Sequence, residues 1–185
     1  AHRLGLHPFS IPMLRNSVPY NGRPACYRMR TCIGFACPVN AKSGTHNTVI
    51  PVALQTGNCE LRTQCIVSEI IVNELGAITG VTYFDKDKRK KTQLADIVIL
   101  SAAAIETARL LLNSKSKFFP KGIGNENDWV GRNLQGHDYP QAFGLFKDEI
   151  YDDFGPGSSI AVCDFNHHNP GIIGGGYLKN AFIRL

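Results

Sequence analysis

The sequence predicts an α/β protein, α+β overall, in two parts: a unit of parallel strand and helix carrying an antiparallel β-meander, then the start of an antiparallel-sheet unit. Three observations predict it. Residues 95–114, ADIVILSAAAIETARLLLNS, pass from an apolar run through small residues into a helix pattern. Residues 65–72 and 77–85 are β-prone and separated by a tight turn. Beyond about residue 125 the segments 141–146 and 155–165 read as candidate antiparallel strands.

Residues 97–100, IVIL, are apolar on both faces and mostly β-branched, as a central strand buried in a parallel sheet should be. From Ser101 to Ala104 no side chain exceeds a hydroxymethyl group, and Ile105, Ala108, Leu111 and Leu112 then recur at helical spacing, so a helix is expected over 103–114. The crossing point is nearly bare backbone. Ligands of open α/β sheets lie beyond the carboxyl ends of the strands, where backbone N–H groups and a helix N-terminus meet a phosphate or a flat ring. The alternative is that the alanines only let strand and helix pack tightly. Before this segment, CIVSEIIV and AITGVTYFD face each other across residues 73–76, the tip KDKRKK follows, and a third strand is expected over 93–100. A free-standing all-β module does not account for the helix after Ser101, so the meander reads as an appendage to an α/β sheet.

Composition narrows the classes. With 43% hydrophobic residues in 185, the chain buries a real core and is not disordered. No apolar run approaches the roughly 20 residues of a membrane span, so no span is expected in this segment, and residues 1–10 show no charged start before an apolar core, so no signal peptide is visible. A cleaved leader stays open, and nothing visible in these residues separates cytoplasm from periplasm. Much of the net charge of +5 comes from KDKRKK, five cations in six residues. Without interleaved aromatic side chains it reads as a solvated hairpin tip, not a nucleic-acid surface.

Residues 1–45 form a Cys- and Pro-rich excursion punctuated by Pro8, Pro12, Pro19, Gly22 and Pro24, where regular structure should be sparse. Long ordered loops of this kind cover a site or dock on another domain, so it is read as lid-like. His7 and His46 have no partner at metal-ligand spacing and receive no role. Cys26, Cys32 and Cys37 form the one cluster of soft ligands, spaced C-x5-C-x4-C in RPACYRMRTCIGFACPVNAKSG. Free or structural thiols, a disulfide and a metal cluster are all open, in that order, because no fourth ligand for zinc is evident.

Taken together, NCELRTQCIVSEIIVNELGAITGVTYFD, ADIVILSAAAIETARLLLNS and WVGRNLQGHD resemble, in order and spacing, the glucose-methanol-choline (GMC) family of FAD-dependent oxidoreductases. Its sugar-acid branch, gluconate 2-dehydrogenase-like, comes closest, through RPACYRMRTCIGFACPVNAKSGTHN. The resemblance implies a Rossmann-like FAD-binding domain, partly present over 1–120, with the excursion at 1–45, strands and meander at 59–101 and the helix at 103–114. A partial substrate-binding domain would follow over 125–185. It implies that the Val67 backbone lies against the FAD adenine, that Ser101, Ala102 and Ala103 pass close to the pyrophosphate and ribose, and that Asn133 and His137 orient backbone near the flavin. The family usually has glycine where this chain has Ala103. The chemistry implied is oxidation of a CH–OH group of a sugar, sugar acid or other alcohol, with hydride passing to the flavin; nothing in these residues selects the electron acceptor. Related branches carry an iron-sulfur cluster on a comparable loop at tighter cysteine spacing, so no metal is expected on Cys26, Cys32 and Cys37 here.

The family's Gly-rich phosphate loop and its catalytic histidine pair have no counterpart in the sequence, and GIIGGGY at 171–177 opens no helix pattern. His167-His168 reads as part of a solvent loop, since neighbours on a strand would face opposite ways. No catalytic base is nominated. The expectation is an internal fragment, inactive alone, of a longer enzyme; the alternative is a non-catalytic α/β module that binds a nucleotide or a protein partner.

Overall fold

The computed structural model describes residues 1–29, 32, 34–148, 155 and 157–180. In chain order the elements are β1 (Pro8–Ser10), α1 (Val49–Gln55), β2 (Ile66–Val72), β3 (Ile78–Phe84), β4 (Lys90–Leu94), α2 (Ala103–Asn113), β5 (Ile160–Val162) and β6 (Leu178–Lys179), with 3-10 turns at His2–Leu4 and Thr45–Asn47. They make an α+β protein with two three-stranded antiparallel sheets, β2-β3-β4 and β1-β5-β6. The chain divides into two compact units, Glu60–Ala142 and Ala1–Cys59 with Phe143–Leu185. No helix among the described residues is long and apolar enough to cross a membrane.

In the Glu60–Ala142 unit the meander forms where its β-branched residues place it, and short polar side chains shape both turns. Asn73 Oδ1 accepts the N–H groups of Leu75 (2.9 Å) and Ala77 (3.0 Å), closing the β2–β3 turn. Asp85 does the same at the next tip, accepting from Asp87 and Arg89, both at 2.9 Å. The Arg89 N–H is the main reason the Asp85 carboxyl is held below the usual carboxylate range. This turn sets the third strand. Pairing starts at Phe84↔Lys90 and runs to Gly80↔Leu94, so β4 is polar and lies earlier than the expected 93–100. Gly80 (φ +154°) is required there, because a Cβ would stand 2.2 Å from the Gln93 carbonyl oxygen.

After Ala95 donates to the Thr79 carbonyl at 3.0 Å, the chain leaves the sheet. Residues 97–100 then run as unpaired chain, with Ile97 79% and Ile99 83% exposed. The expected central parallel strand is not formed: β-branched residues favour extended backbone, but a strand needs a ladder partner, and none lies beside this segment among the described residues. Every strand pair described is antiparallel.

The helix starts at Ala103, as the pattern predicts, but the buried face differs. Leu110 is its one buried residue and Ile105 is exposed, because only the second half of α2 reaches β2. There, Ser114 (1% exposed) accepts the Ile70 N–H at 2.8 Å through Oγ and donates to the Leu110 carbonyl at 2.7 Å. One hydroxyl thus closes the helix C-terminus and satisfies the buried amide of Ile70. Beyond it, Asn125 donates to the Lys121 carbonyl (3.0 Å) and accepts from Val130 (3.0 Å), and Ile123 donates to the Leu111 carbonyl (3.0 Å).

The other unit is built around loops, as the proline content predicts. Arg23 donates to the carbonyls of Asn40 (3.2 Å) and Lys42 (3.4 Å), to Asn16 Oδ1 (3.2 Å) and to Ser43 Oγ (3.1 Å). Buried Asn16 in turn donates to the Tyr20 and Arg23 carbonyls. The expected strand at 141–146 is absent; Phe143 and Leu145 are exposed on irregular chain. Of the expected strand at 155–165, residue 156 lies outside the described residues and the rest forms a strand only at β5, whose Ala161 and Val162 are buried. Its partners leave no periodic signal, since β1 is three residues long and distant in sequence and β6 is only two residues long.

Replacing Ser114 by alanine leaves the Ile70 N–H buried without an acceptor, at a cost of about 1–3 kcal/mol. Chemical denaturation of the full-length Ser114→Ala protein is expected to show a loss in that range. A change below about 0.5 kcal/mol would mean that water replaces the hydroxyl.

Candidate functional site

Four of the six residues singled out from the sequence lie on one β–α unit. Val67 is half-buried on β2, opposite Tyr83. The β2–β3 register shifts between Val67 and Glu69, leaving Ser68 as an extra residue whose Oγ donates to the Thr82 carbonyl at 3.2 Å. Ser101, Ala102 and Ala103 are exposed and lead into α2, which packs on β2. Ala102 is the N-cap and supplies no side-chain acceptor, so the first N–H groups of the helix have no side-chain cap. Such an end can receive an anion. The first turn also carries Glu106, which would oppose an anion, but Arg109 Nε pairs with Glu106 Oε2 at 2.7 Å. Arg109 Nη2 continues across to the Val67 carbonyl oxygen at 3.4 Å.

Ala103 has φ +60°, in the left-handed region that glycine occupies freely and other residues at a cost. The glycine expected at this position from the resemblance therefore has a backbone reason. Asn133, also at positive φ (55°), and His137 lie on exposed irregular chain in the same compact unit. Neither side chain makes a hydrogen bond among the described residues, and the His137 ring stands edge-on to Tyr139 at 5.9 Å. The structure therefore groups Val67 with the 101–103 turn through α2 and leaves Asn133 and His137 apart from both. Arg109 and Glu106 were missed in the sequence. Their i, i+3 spacing was the available signal.

A second constellation belongs to the other unit. Cys26, Cys32 and Cys37 line a largely apolar cavity of about 280 Å3, together with Met13, Leu14 and Lys42. All three thiols are free. The Lys42 ammonium donates to the Cys32 carbonyl and, at 2.8 Å, to that of Phe35. Cys37 Sγ accepts the Ala41 N–H at 3.2 Å, and the backbone N–H groups of Lys42, Ala41 and Val39, opposed by burial, hold its thiol below the usual cysteine range. Among the described residues no group of three or more His, Cys, Asp or Glu side chains is placed to hold a metal ion.

The histidines have local partners. His7 meets Asp164, far away in sequence, through Nδ1 at 2.6 Å and its backbone N–H at 3.1 Å. Those two hydrogen bonds, the side-chain one first, hold Asp164 below the ordinary carboxylate range. His46 lines a cavity of about 460 Å3 of mixed polarity with Arg23, Asn40, Asn47, Pro51 and Val52. His167 and His168 sit on a solvent-exposed turn, with rings 3.9 Å apart, so the strand geometry considered for them does not occur.

Residues 15–139 match the GMC oxidoreductase family. The chain is 31% identical over 136 residues to the fructose dehydrogenase large subunit of Gluconobacter japonicus, covering 73% of this chain and 24% of that protein. It is 32% identical over 189 aligned residues to the gluconate 2-dehydrogenase flavoprotein of Pantoea cypripedii, covering 95% of this chain and 31% of that one. A 2-methyl-1,2-propanediol dehydrogenase of Mycolicibacterium austroafricanum is 38% identical over 101 residues, 54% of this chain and 18% of its own length. The chain thus spans between about a fifth and a third of the length of these relatives.

Two measurements follow from the two constellations. Relief of a left-handed alanine is worth about 1 kcal/mol once the chain entropy of glycine is set against it. Ala103→Gly in the full-length protein should therefore raise stability slightly and leave flavin affinity equal or better. Ala103→Val, bulkier at the point of close approach, should push backbone and cofactor apart and weaken flavin binding about 5- to 150-fold, from about 1–3 kcal/mol of overpacking. Equal flavin affinity in both variants would reduce the turn to a packing element. For the cysteines, brief alkylation at neutral pH with peptide mapping is expected to modify Cys37 first. The midpoint of its pH–rate profile should fall below the roughly 8.5 of an ordinary thiol.

Proposed function

The chain belongs to the GMC oxidoreductase family, and from that premise we propose that the whole protein is an FAD-dependent oxidoreductase acting on CH–OH groups. The observation that carries the cofactor reading is the uncapped N-terminus of α2 behind a turn of small residues, joined through α2 to Val67. Bound FAD would supply the acceptor for hydride leaving the alcohol carbon. In this reading the Ser101–Ala103 backbone holds the pyrophosphate and ribose, and the open N–H groups of the helix offset phosphate charge. The Val67 backbone reads the adenine edge, its carbonyl accepting from the amino group. Asn133 and His137 lie on the chain leading to the substrate domain and orient backbone on the flavin side.

The fit is supported by the absence of any bulky side chain at the turn and by the pairing of Glu106 with Arg109. Residues 1–120 would be part of a Rossmann-like FAD domain carrying the meander as an insertion, and 125–185 part of the substrate domain. No residue here is assigned as catalytic base. The names of the fructose dehydrogenase and gluconate 2-dehydrogenase relatives put sugars and sugar acids first among substrates, with other alcohols next.

The test uses the full-length protein. It should purify yellow, and under exclusion of oxygen its flavin should bleach on mixing with at least one member of a panel of sugars, sugar acids and simple alcohols. A colourless protein that takes up no added FAD, or a flavin that no member of the panel reduces, would overturn the proposal.

A further inference from the structure

We infer that Arg109 is a positioning residue for the adenine end of the cofactor: it holds the Val67 carbonyl in the orientation from which that oxygen accepts the adenine amino group. The inference rests on the reading of Val67 given above and adds a residue that the sequence did not single out.

The strand itself does not fix this peptide group firmly. The bulge at Ser68 breaks the register between Val67 and Glu69, so the plane next to Val67 lies at an interruption of the ladder. One side chain is recorded reaching its oxygen, Arg109 Nη2 at 3.4 Å. Nε pairs with Glu106 at 2.7 Å, and because the guanidinium is planar, that pairing directs its other edge toward the strand. A carbonyl oxygen has two acceptor sites. Arg109 takes one and leaves the second for a ligand donor, and a charged donor on the first lone pair polarises the group.

Position along the helix gives the contact its second consequence. Arg109 and Ala103 are on the same α2, about 9 Å apart along the axis at 1.5 Å per residue. Ser114, at the far end of the helix, binds Ile70 two residues past the bulge. With both attachments made, the turn that would meet the pyrophosphate and the carbonyl that would meet the adenine are held at one spacing. The competing account is that Arg109 only pairs with Glu106 on the helix surface, which would make it indifferent to the base.

Hypoxanthine separates the two accounts, since it presents an oxygen where adenine presents the amino group. Full-length apoprotein is titrated with FAD and with flavin hypoxanthine dinucleotide. The unmodified protein should prefer FAD by about tenfold, the worth of one good hydrogen bond against a mismatched acceptor. Arg109→Met should reduce that preference to about twofold or less. Arg109→Lys should do the same while preserving a cation beside Glu106, and so the fold, because a single ammonium cannot span both Glu106 and the Val67 carbonyl. If the unmodified protein and both variants show the same tenfold preference, Arg109 does not position Val67 although Val67 reads the base. If the unmodified protein binds both dinucleotides equally, the reading of Val67 itself is wrong and the inference goes with it. A preference lost in Arg109→Lys at an unchanged melting temperature establishes the positioning role.

Discussion

The outer edge of β2 is the constraint on which the Glu60–Ala142 unit depends. One side of the strand is satisfied by β3, and the other would leave amides and carbonyls open to any passing chain. Side chains of α2 and its cap close it instead, with Ser114 taking the Ile70 amide and Arg109 the Val67 carbonyl. Apolar burial between the two elements is small, centred on Ile70 and Leu110, each 4% exposed. Apolar contact alone would permit the helix to slide or roll, because it has no direction. Two hydrogen bonds about a turn and a half of helix apart set its position, and the turn at Ala103 inherits that position.

The same device recurs in the other unit. Beyond β1, the excursion carrying Pro12, Pro19, Pro24 and Pro38 forms no further strand among the described residues, yet its carbonyls still need donors once packed. Arg23 and Lys42 supply them: the guanidinium bonds the carbonyls of Asn40 and Lys42, and the ammonium bonds those of Cys32 and Phe35. The cysteine-lined cavity therefore owes its shape to two cations acting on backbone. It also explains why the Cys37 sulfur meets several N–H groups, since the loop from Val39 to Lys42 is wrapped around it.

What was legible in the sequence was what local forces decide. The start of α2 was visible in the change from small residues to a 3.6-residue period, and β2 and β3 in their β-branched content. The third strand was displaced because its register depends on Asp85, whose carboxylate closes the turn earlier than the charged run suggests. Residues 97–100 misled for a different reason: periodicity reports that both faces are apolar and says nothing of a neighbouring strand. β1 was invisible, since Pro8, Phe9 and Ser10 pair with residues some 150 positions later. Of the candidate site, the bare turn and Val67 could be named, the latter only through family resemblance. The left-handed φ of Ala103 and the reach of Arg109 are tertiary facts.

Arg109 joins the electrostatics of the turn to the geometry of the strand. A helix N-terminus with an acidic residue in its first turn ordinarily satisfies its own positive end, and is then poorly suited to hold an anion. Here the acid is Glu106, and its charge is drawn toward Arg109, one turn deeper, leaving the terminal N–H groups with no carboxylate acceptor. The cation that achieves this is also the donor to the Val67 carbonyl. Neutralising Glu106 and fixing Val67 are therefore one interaction, so the turn end and the strand end of the β2–α2 unit cannot be tuned separately. Alanine at 103 fits that coupling. A turn carried on a helix that is fixed to the strand at Arg109 and Ser114 can keep a residue in a conformation costing about 1–2 kcal/mol, which a loosely attached loop would relax away.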